Sequence, residues 1–128
     1  QRQSILDRLT SIATGVGKAM GAEVTFELTF GTPPTVNTPE MAELVRGVAA
    51  GIVGSERVIQ GPLVSASEDF SEFLFETPGC FFMVGTMNPE KGFTWGHHHP
   101  RFDIDEEPMS VGIATMAGVA LRFLASQE

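Results

Sequence analysis

Residues 23–30 constrain the fold more than any other stretch. Val24, Phe26, Leu28 and Phe30 alternate with Glu23, Thr25, Glu27 and Thr29. Strand side chains point to opposite faces in turn, so the pattern predicts a strand with one buried and one wet face. Immediately upstream, Ile5, Leu9, Ile12, Val16 and Ala19 recur at spacings of four and three. That predicts a helix over 4–20, with Ser4 as its N-cap and Gly21 as its stop. Two elements of this size bury little on their own, so they require a further layer.

The stretch Gly31-Thr32-Pro33-Pro34-Thr35-Val36-Asn37 interrupts this pattern. Its two prolines bar helix and disfavour a central strand. A domain boundary is expected here, dividing the chain into 1–33 and 34–128. Thr38-Pro39 then opens a second helix, an N-cap followed by proline at the first helical position. Met41, Leu44, Val45, Val48, Ala49 and Ile52 form its apolar stripe. Short strands are expected at Val58-Ile59 and Leu63-Val64, and a short helix from Ser67 to about Glu76. Cys80-Phe81-Phe82-Met83-Val84 is an uninterrupted apolar run bounded by Pro78-Gly79 and Gly85. It predicts a strand buried on both faces. Residues 86–105 read as a long loop, a length that tends to accompany function in a compact domain. The last helix is expected from Asp105–Pro108 to about Ser126, with Asp105, Glu106 and Glu107 at the positive end of its dipole. It is apolar around most of its circumference, which predicts burial. The element order is α/β.

Charge narrows the possible functions. The chain carries 8 basic and 16 acidic side chains, a net charge of −8. Phosphate backbones and anionic membrane surfaces both need clustered Lys and Arg, so neither nucleic acid nor membrane is an expected partner. No apolar run approaches the length of a membrane span. The lone Cys80 cannot form an internal disulfide. A soluble, cytoplasmic protein is the expectation.

Three segments could carry chemistry. All three histidines stand together as His97-His98-His99. Imidazole is the commonest metal ligand, but adjacent side chains cannot all converge on one ion, and a solvated loop is the plainer alternative. There is no HExxH and no CxxC to complete a site. Cys80, inside a buried strand pattern, reads as core. Ser67-Glu68-Asp69-Phe70 reads either as a helix cap or as a loop whose hydroxyl and N–H groups meet a substrate oxyanion. Asn37 reads as part of a rigid turn or as a donor to a substrate carbonyl.

Taken in order, PPTVN, ASEDF, PGCFFMVG and HHHPRFDIDEE resemble the C-terminal part of metal-dependent amidohydrolases of the hippurate hydrolase and indole-acetyl-amino-acid hydrolase type. These belong with the dinuclear zinc carboxypeptidases and aminoacylases. The resemblance implies a fragment of a two-domain fold. Residues 1–33 would end a ferredoxin-like lid that often dimerises, and 34–128 would form the C-terminal part of a catalytic α/β domain. It implies two divalent ions per active site (zinc, manganese or cobalt) and an N-acyl amino acid or small peptide as substrate. It also implies the rest of the parent enzyme as partner, and a homo-oligomer. The family's C-terminal ligand falls on His98. Ser67 and Glu68 fall on a loop lining the substrate pocket, and Asn37 falls near the cleft. The family's other ligands and its general base have no counterpart here, so no catalytic residue is identified in the chain and the chain alone is expected to be inactive. The alternative is a non-catalytic acidic α/β module for interaction or oligomerisation.

Overall fold

The structure is a computed structural model and describes residues 1–126. It divides into two compact units, Gln1–Gly31 and the chain from Thr32 onward.

In the first unit, α1 spans Arg2–Ala19. Its N-cap is Gln1 with no side-chain cap bond, so Ser4 lies inside the helix rather than at its start. The expected stop holds. Gly21 adopts φ 71°, Ala22 N–H donates to Gly17 O at 2.8 Å and Gly21 N–H to Lys18 O at 3.2 Å. This pair of bonds satisfies the last carbonyls, and only glycine enters that left-handed turn without strain. The chain then returns along the helix. Val24 lies on Gly17, where a Cβ would collide with its Cγ2, and Phe30 lies under the Arg2 guanidinium at 4.4 Å. Fifteen helical residues cover about 22 Å, and six residues cover about 20 Å only when extended. Residues 24–30 therefore run as a single extended segment. They form no ladder, because no second strand among the described residues lies beside them.

The covered face of α1 also differs from the expected one. Ile5, Leu9, Ile12 and Val16 are 47–61% exposed. The better-covered positions are Leu6, Thr10, Ala13 and Gly17. Periodicity identified a helix with an apolar stripe, but the returning segment covers the neighbouring stripe.

In the second unit, α2 spans Pro39–Val53, α3 Phe70–Glu76 and α4 Met109–Ala125. Short 3-10 turns occupy Ser55–Arg57 and Pro89–Lys91. Thr38 caps α2 with extended backbone and Pro39 sits in its first turn, as expected. The Thr38 hydroxyl, however, accepts from Gly79 N–H at 3.1 Å, and Thr38 N–H donates to Gly79 O at 2.9 Å. Next to it the Asn37 amide donates to Phe81 O at 2.8 Å and accepts from Phe81 N–H at 2.7 Å. One side chain thus completes both backbone bonds that a neighbouring strand would make. These four bonds tie the entry of α2 to residues 79–81.

Helices α2 and α4 pack together. Close approach is possible because Gly118 has no side chain: a Cβ there would lie 2.8 Å from Val48 Cγ1. Val45 and Thr115 are buried. Phe70 links α3 to the 79–81 segment, its ring 5.6 Å from those of both Phe73 and Phe81.

The expected strands at 58–59, 63–64 and 80–84 make no ladder pairing among the described residues; the one bridge joins Asn88 and Phe93. Nor does α4 have the all-round burial its composition predicts. Ile113, Met116, Leu121 and Leu124 are 64–71% exposed. A folded monomer of this mass exposes roughly 6,600 Å², whereas this chain exposes 10587 Å². The apolar pattern is present but this chain does not supply the surface that would cover it. No helix among the described residues is long and apolar enough to cross a membrane.

Candidate functional site

The 86–107 loop has internal structure. Asn88 and Phe93 exchange backbone bonds of 2.9 Å around the Pro89–Lys91 turn. Gly92 closes that turn at φ 88°, a conformation glycine adopts without strain. Asp105, 7% exposed, is the anchor of the loop. Its carboxylate accepts from Asn88 Nδ2 at 2.7 Å, from Lys91 Nζ at 3.1–3.2 Å and from Glu107 N–H at 3.3 Å. Asp105 N–H donates to Thr86 O at 3.0 Å. The Asn88 amide, followed by Lys91, holds this carboxyl below its ordinary range. Lys91 also pairs with Glu107 at 2.7 Å, and that carboxylate and then Asp105 hold its ammonium above its ordinary value. Asp105 and Glu107 therefore clamp the loop ends through Asn88 and Lys91. Helix α4 begins at Met109 with no acid in its first turn, so Asp105, Glu106 and Glu107 lie just ahead of it, and Asp105 and Glu107 take part in this clamp.

From this base the loop presents the three histidines, in three different situations. His99 stacks on Trp95, centroids 3.9 Å apart and planes 7° from parallel. Its Nδ1 accepts Arg101 N–H at 3.1 Å, which puts the neutral ring's proton on Nε2. His97 sets its edge against Phe102, 4.9 Å between centroids. His98 lies between them at φ 67°, the one non-glycine residue in the left-handed region among those described. That conformation costs about 1–2 kcal/mol. His98 is exposed, and neither of its ring nitrogens makes a hydrogen bond among the described residues. Backbone strain held by anchored neighbours is a common mark of functional positions.

Among the described residues, no three His, Cys, Asp or Glu side chains come together as a metal cage. His98 is the right kind of donor for a divalent transition metal, but it is a single donor.

The other candidate residues lie apart from the histidines in sequence and are engaged with partners of their own. Ser67 Oγ is 2.9 Å from Thr32 Oγ1. The N-cap of α3 is Asp69, without a side-chain cap bond; the preceding Glu68 carboxylate accepts Phe70 N–H at 3.1 Å, and Ser67 is not the cap. The buried Ser71 hydroxyl donates to Glu68 O at 2.6 Å. Asn37 has both ends of its amide engaged with Phe81. Cys80 lines an apolar groove with Met41, Val45, Phe82 and Met116. The side chain is half-buried, not fully enclosed as the core reading expected; burial pushes its thiol up, opposed by Arg46, which is the opposite of an activated nucleophile.

The sequence places Asn88 in the long loop without a role, and gives no role to Trp95 or Lys91. The Asn-Pro-x-x-Gly turn signature at 88–92 and the single tryptophan two residues before the histidines were the available signals.

Residues 4–122 match Peptidase family M20/M25/M40. YhaA of Bacillus subtilis (strain 168), which carries an amidohydrolase name, is 29% identical over 94% of this chain and 31% of its own length. Thermostable carboxypeptidase 1 of Saccharolobus solfataricus is 35% identical over 71% of this chain and 22% of its own. IAA-amino acid hydrolase ILR1-like 2 of Arabidopsis thaliana is 32% identical over 72% of this chain and 21% of its own. The chain thus spans a third or less of the length of these curated relatives. No solved structure matches it. A match that runs through nearly the whole sequence, from the first turn of α1 into the last turn of α4, makes this chain a member of Peptidase family M20/M25/M40.

Proposed function

We propose that the full-length protein is a metal-dependent amidohydrolase that cleaves the amide bond of N-acyl amino acids or small peptides. In this reading the first unit belongs to a lid and the second to an α/β catalytic domain, and the chain alone is inactive. The observation that carries the reading is His98: an exposed imidazole with both nitrogens uncommitted, on a left-handed backbone between two anchored neighbours. It supplies one ligand to a centre of two divalent ions (zinc, manganese or cobalt), and the remaining donors lie outside this chain. Such ions, when bound, activate a water and polarise the scissile carbonyl. The names of the relatives, amidohydrolase, carboxypeptidase and IAA-amino acid hydrolase, support an amide substrate.

The chain's own residues then have defined tasks. His98 holds one coordination position. The exposed Ser67 hydroxyl and the Glu68 carboxylate contact the substrate at the entry of α3. Asn37 holds the 79–81 segment against α2 and so sets one wall near the cleft. The acidic charge and the single thiol suit a reducing cytoplasm. The test is His98→Ala in the full-length protein. Loss of hydrolysis of N-acyl amino acids with the fold retained supports the reading, and full activity removes it.

A second reading, an oligomerisation module without catalysis, draws on the exposed Ile5, Leu9, Ile12 and Val16 stripe. The same gene decides between the two. A Cys/His/Asp metal motif and paired glutamates upstream favour the enzyme, and their absence favours the module. A homo-oligomer formed through the first unit is compatible with either.

A further inference from the structure

We infer that Trp95 is a positioning residue for His98. This rests on the reading of His98 as a metal ligand. A left-handed non-glycine residue on an exposed loop persists only where its neighbours hold it. The partners of those neighbours are visible. On the C-terminal side, His99 lies flat on Trp95 at 3.9 Å, its Nδ1 takes Arg101 N–H at 3.1 Å, and its own N–H donates to Gly96 O at 3.3 Å. The Arg101 guanidinium lies 5.8 Å from the Trp95 ring centroid, and Phe102 N–H closes the turn on His99 O at 2.9 Å. On the N-terminal side, His97 rests against Phe102. Both flanks of His98 are therefore fixed by aromatic contacts made within residues 95–102, and the largest of those surfaces is the indole.

The consequence concerns metal affinity. Groups that orient a ligand without touching the ion commonly change its affinity 10–100-fold. Without the indole, His99 loses its stacking partner, the turn from Gly96 to Phe102 loosens, and His98 relaxes from φ 67° towards ordinary backbone. Trp95 touches neither metal nor substrate in this scheme. It acts through His99 and the turn.

The experiment measures zinc binding by chelator competition in the full-length protein, alongside thermal unfolding without metal. The variants are His98→Ala, Trp95→Ala, Trp95→Phe and Trp95→Leu. The expected result is loss of one zinc in His98→Ala. Affinity at that position falls at least about tenfold in Trp95→Ala and Trp95→Leu, while Trp95→Phe, which keeps an aromatic face, stays within about threefold of the native protein. Native affinity in Trp95→Ala or Trp95→Leu, with zinc still lost in His98→Ala, overturns the positioning role and leaves His98 as ligand. Unchanged zinc content in His98→Ala overturns the ligand reading itself. If Trp95→Ala does not fold, the comparison of Trp95→Leu with Trp95→Phe decides, since both fill the site and only one can stack.

Discussion

The 86–107 loop and the α2–α4 helix pair follow opposite rules. The loop is polar, irregular and complete within itself. Asp105, Asn88, Lys91 and Glu107 satisfy one another, and the aromatic contacts around His98 come from the same stretch. The helix pair is regular and apolar but incomplete, with Ile113, Met116, Leu121 and Leu124 largely uncovered. Local sequence suffices to order a short polar clamp, because each bond closes a small ring of residues. A hydrophobic face gains its stability only from the surface that covers it, and this chain does not contain that surface.

The largest test of this contrast is assembly. The isolated 128-residue chain is expected to self-associate in sedimentation velocity, and Ile113→Lys with Leu121→Glu is expected to reduce that association while the loop remains ordered. A monomeric chain with a sharp two-state melt would contradict the contrast.

Within the helix pair, Gly118→Leu drives a side chain into Val48 and should destabilise by about 1–3 kcal/mol in urea titration. An unchanged midpoint would mean that α2 and α4 do not approach closely there.

At the seam between α2 and residues 79–81, Asn37→Ala leaves the Phe81 N–H and C=O without their partners. The expected loss is about 1–2 kcal/mol. Asn37→Asp should keep the bond from Phe81 N–H yet place a carboxylate against Phe81 O, so most of its loss should be recovered at acidic pH.

The loop clamp carries its own pH signature. Because Asp105 has a depressed folded-state pKa, its contribution to stability is present above the unfolded value, about 3.9, and fades as pH falls through the lower folded value. Lys91 is raised, so its contribution is present below about 10.4 and fades as pH rises through the higher folded value. The clamp is therefore intact across the neutral range. The urea midpoints of the native chain and Asp105→Asn should differ at pH 7, begin to converge below about pH 4, and meet only once the pH has fallen through the lower folded-state value.

The smallest effect belongs to the solvent-facing Arg46–Glu43 pair at 3.3 Å. Glu43→Gln should change stability by less than about 0.5 kcal/mol.

How much of this was legible in sequence depends on distance along the chain. Thr38-Pro39, Gly21 and the stripe of α2 are local signals, and each marks a real boundary or helix. The Asn37–Phe81 pairing and the Asn88–Asp105 bond join residues 44 and 17 positions apart. No local pattern announces such pairs, so the sequence offers Asn37 only as a turn residue or a substrate donor, and Asp105 as a helix-start charge. The strands expected at 23–30 and 80–84 show a different limit. Alternation and apolar runs specify what a segment would bury, while a ladder also requires a partner strand. His98 stood out by resemblance alone. Its left-handed backbone is a property of the turn around it, which the triplet of identical residues does not reveal.

The most direct test of the central claim is a crystal structure of the zinc-loaded full-length protein. The account predicts a ring nitrogen of His98 about 2.0–2.1 Å from a zinc ion, with His99 still stacked on Trp95. A fully occupied metal centre with the His98 ring turned to solvent and outside its coordination sphere would contradict it.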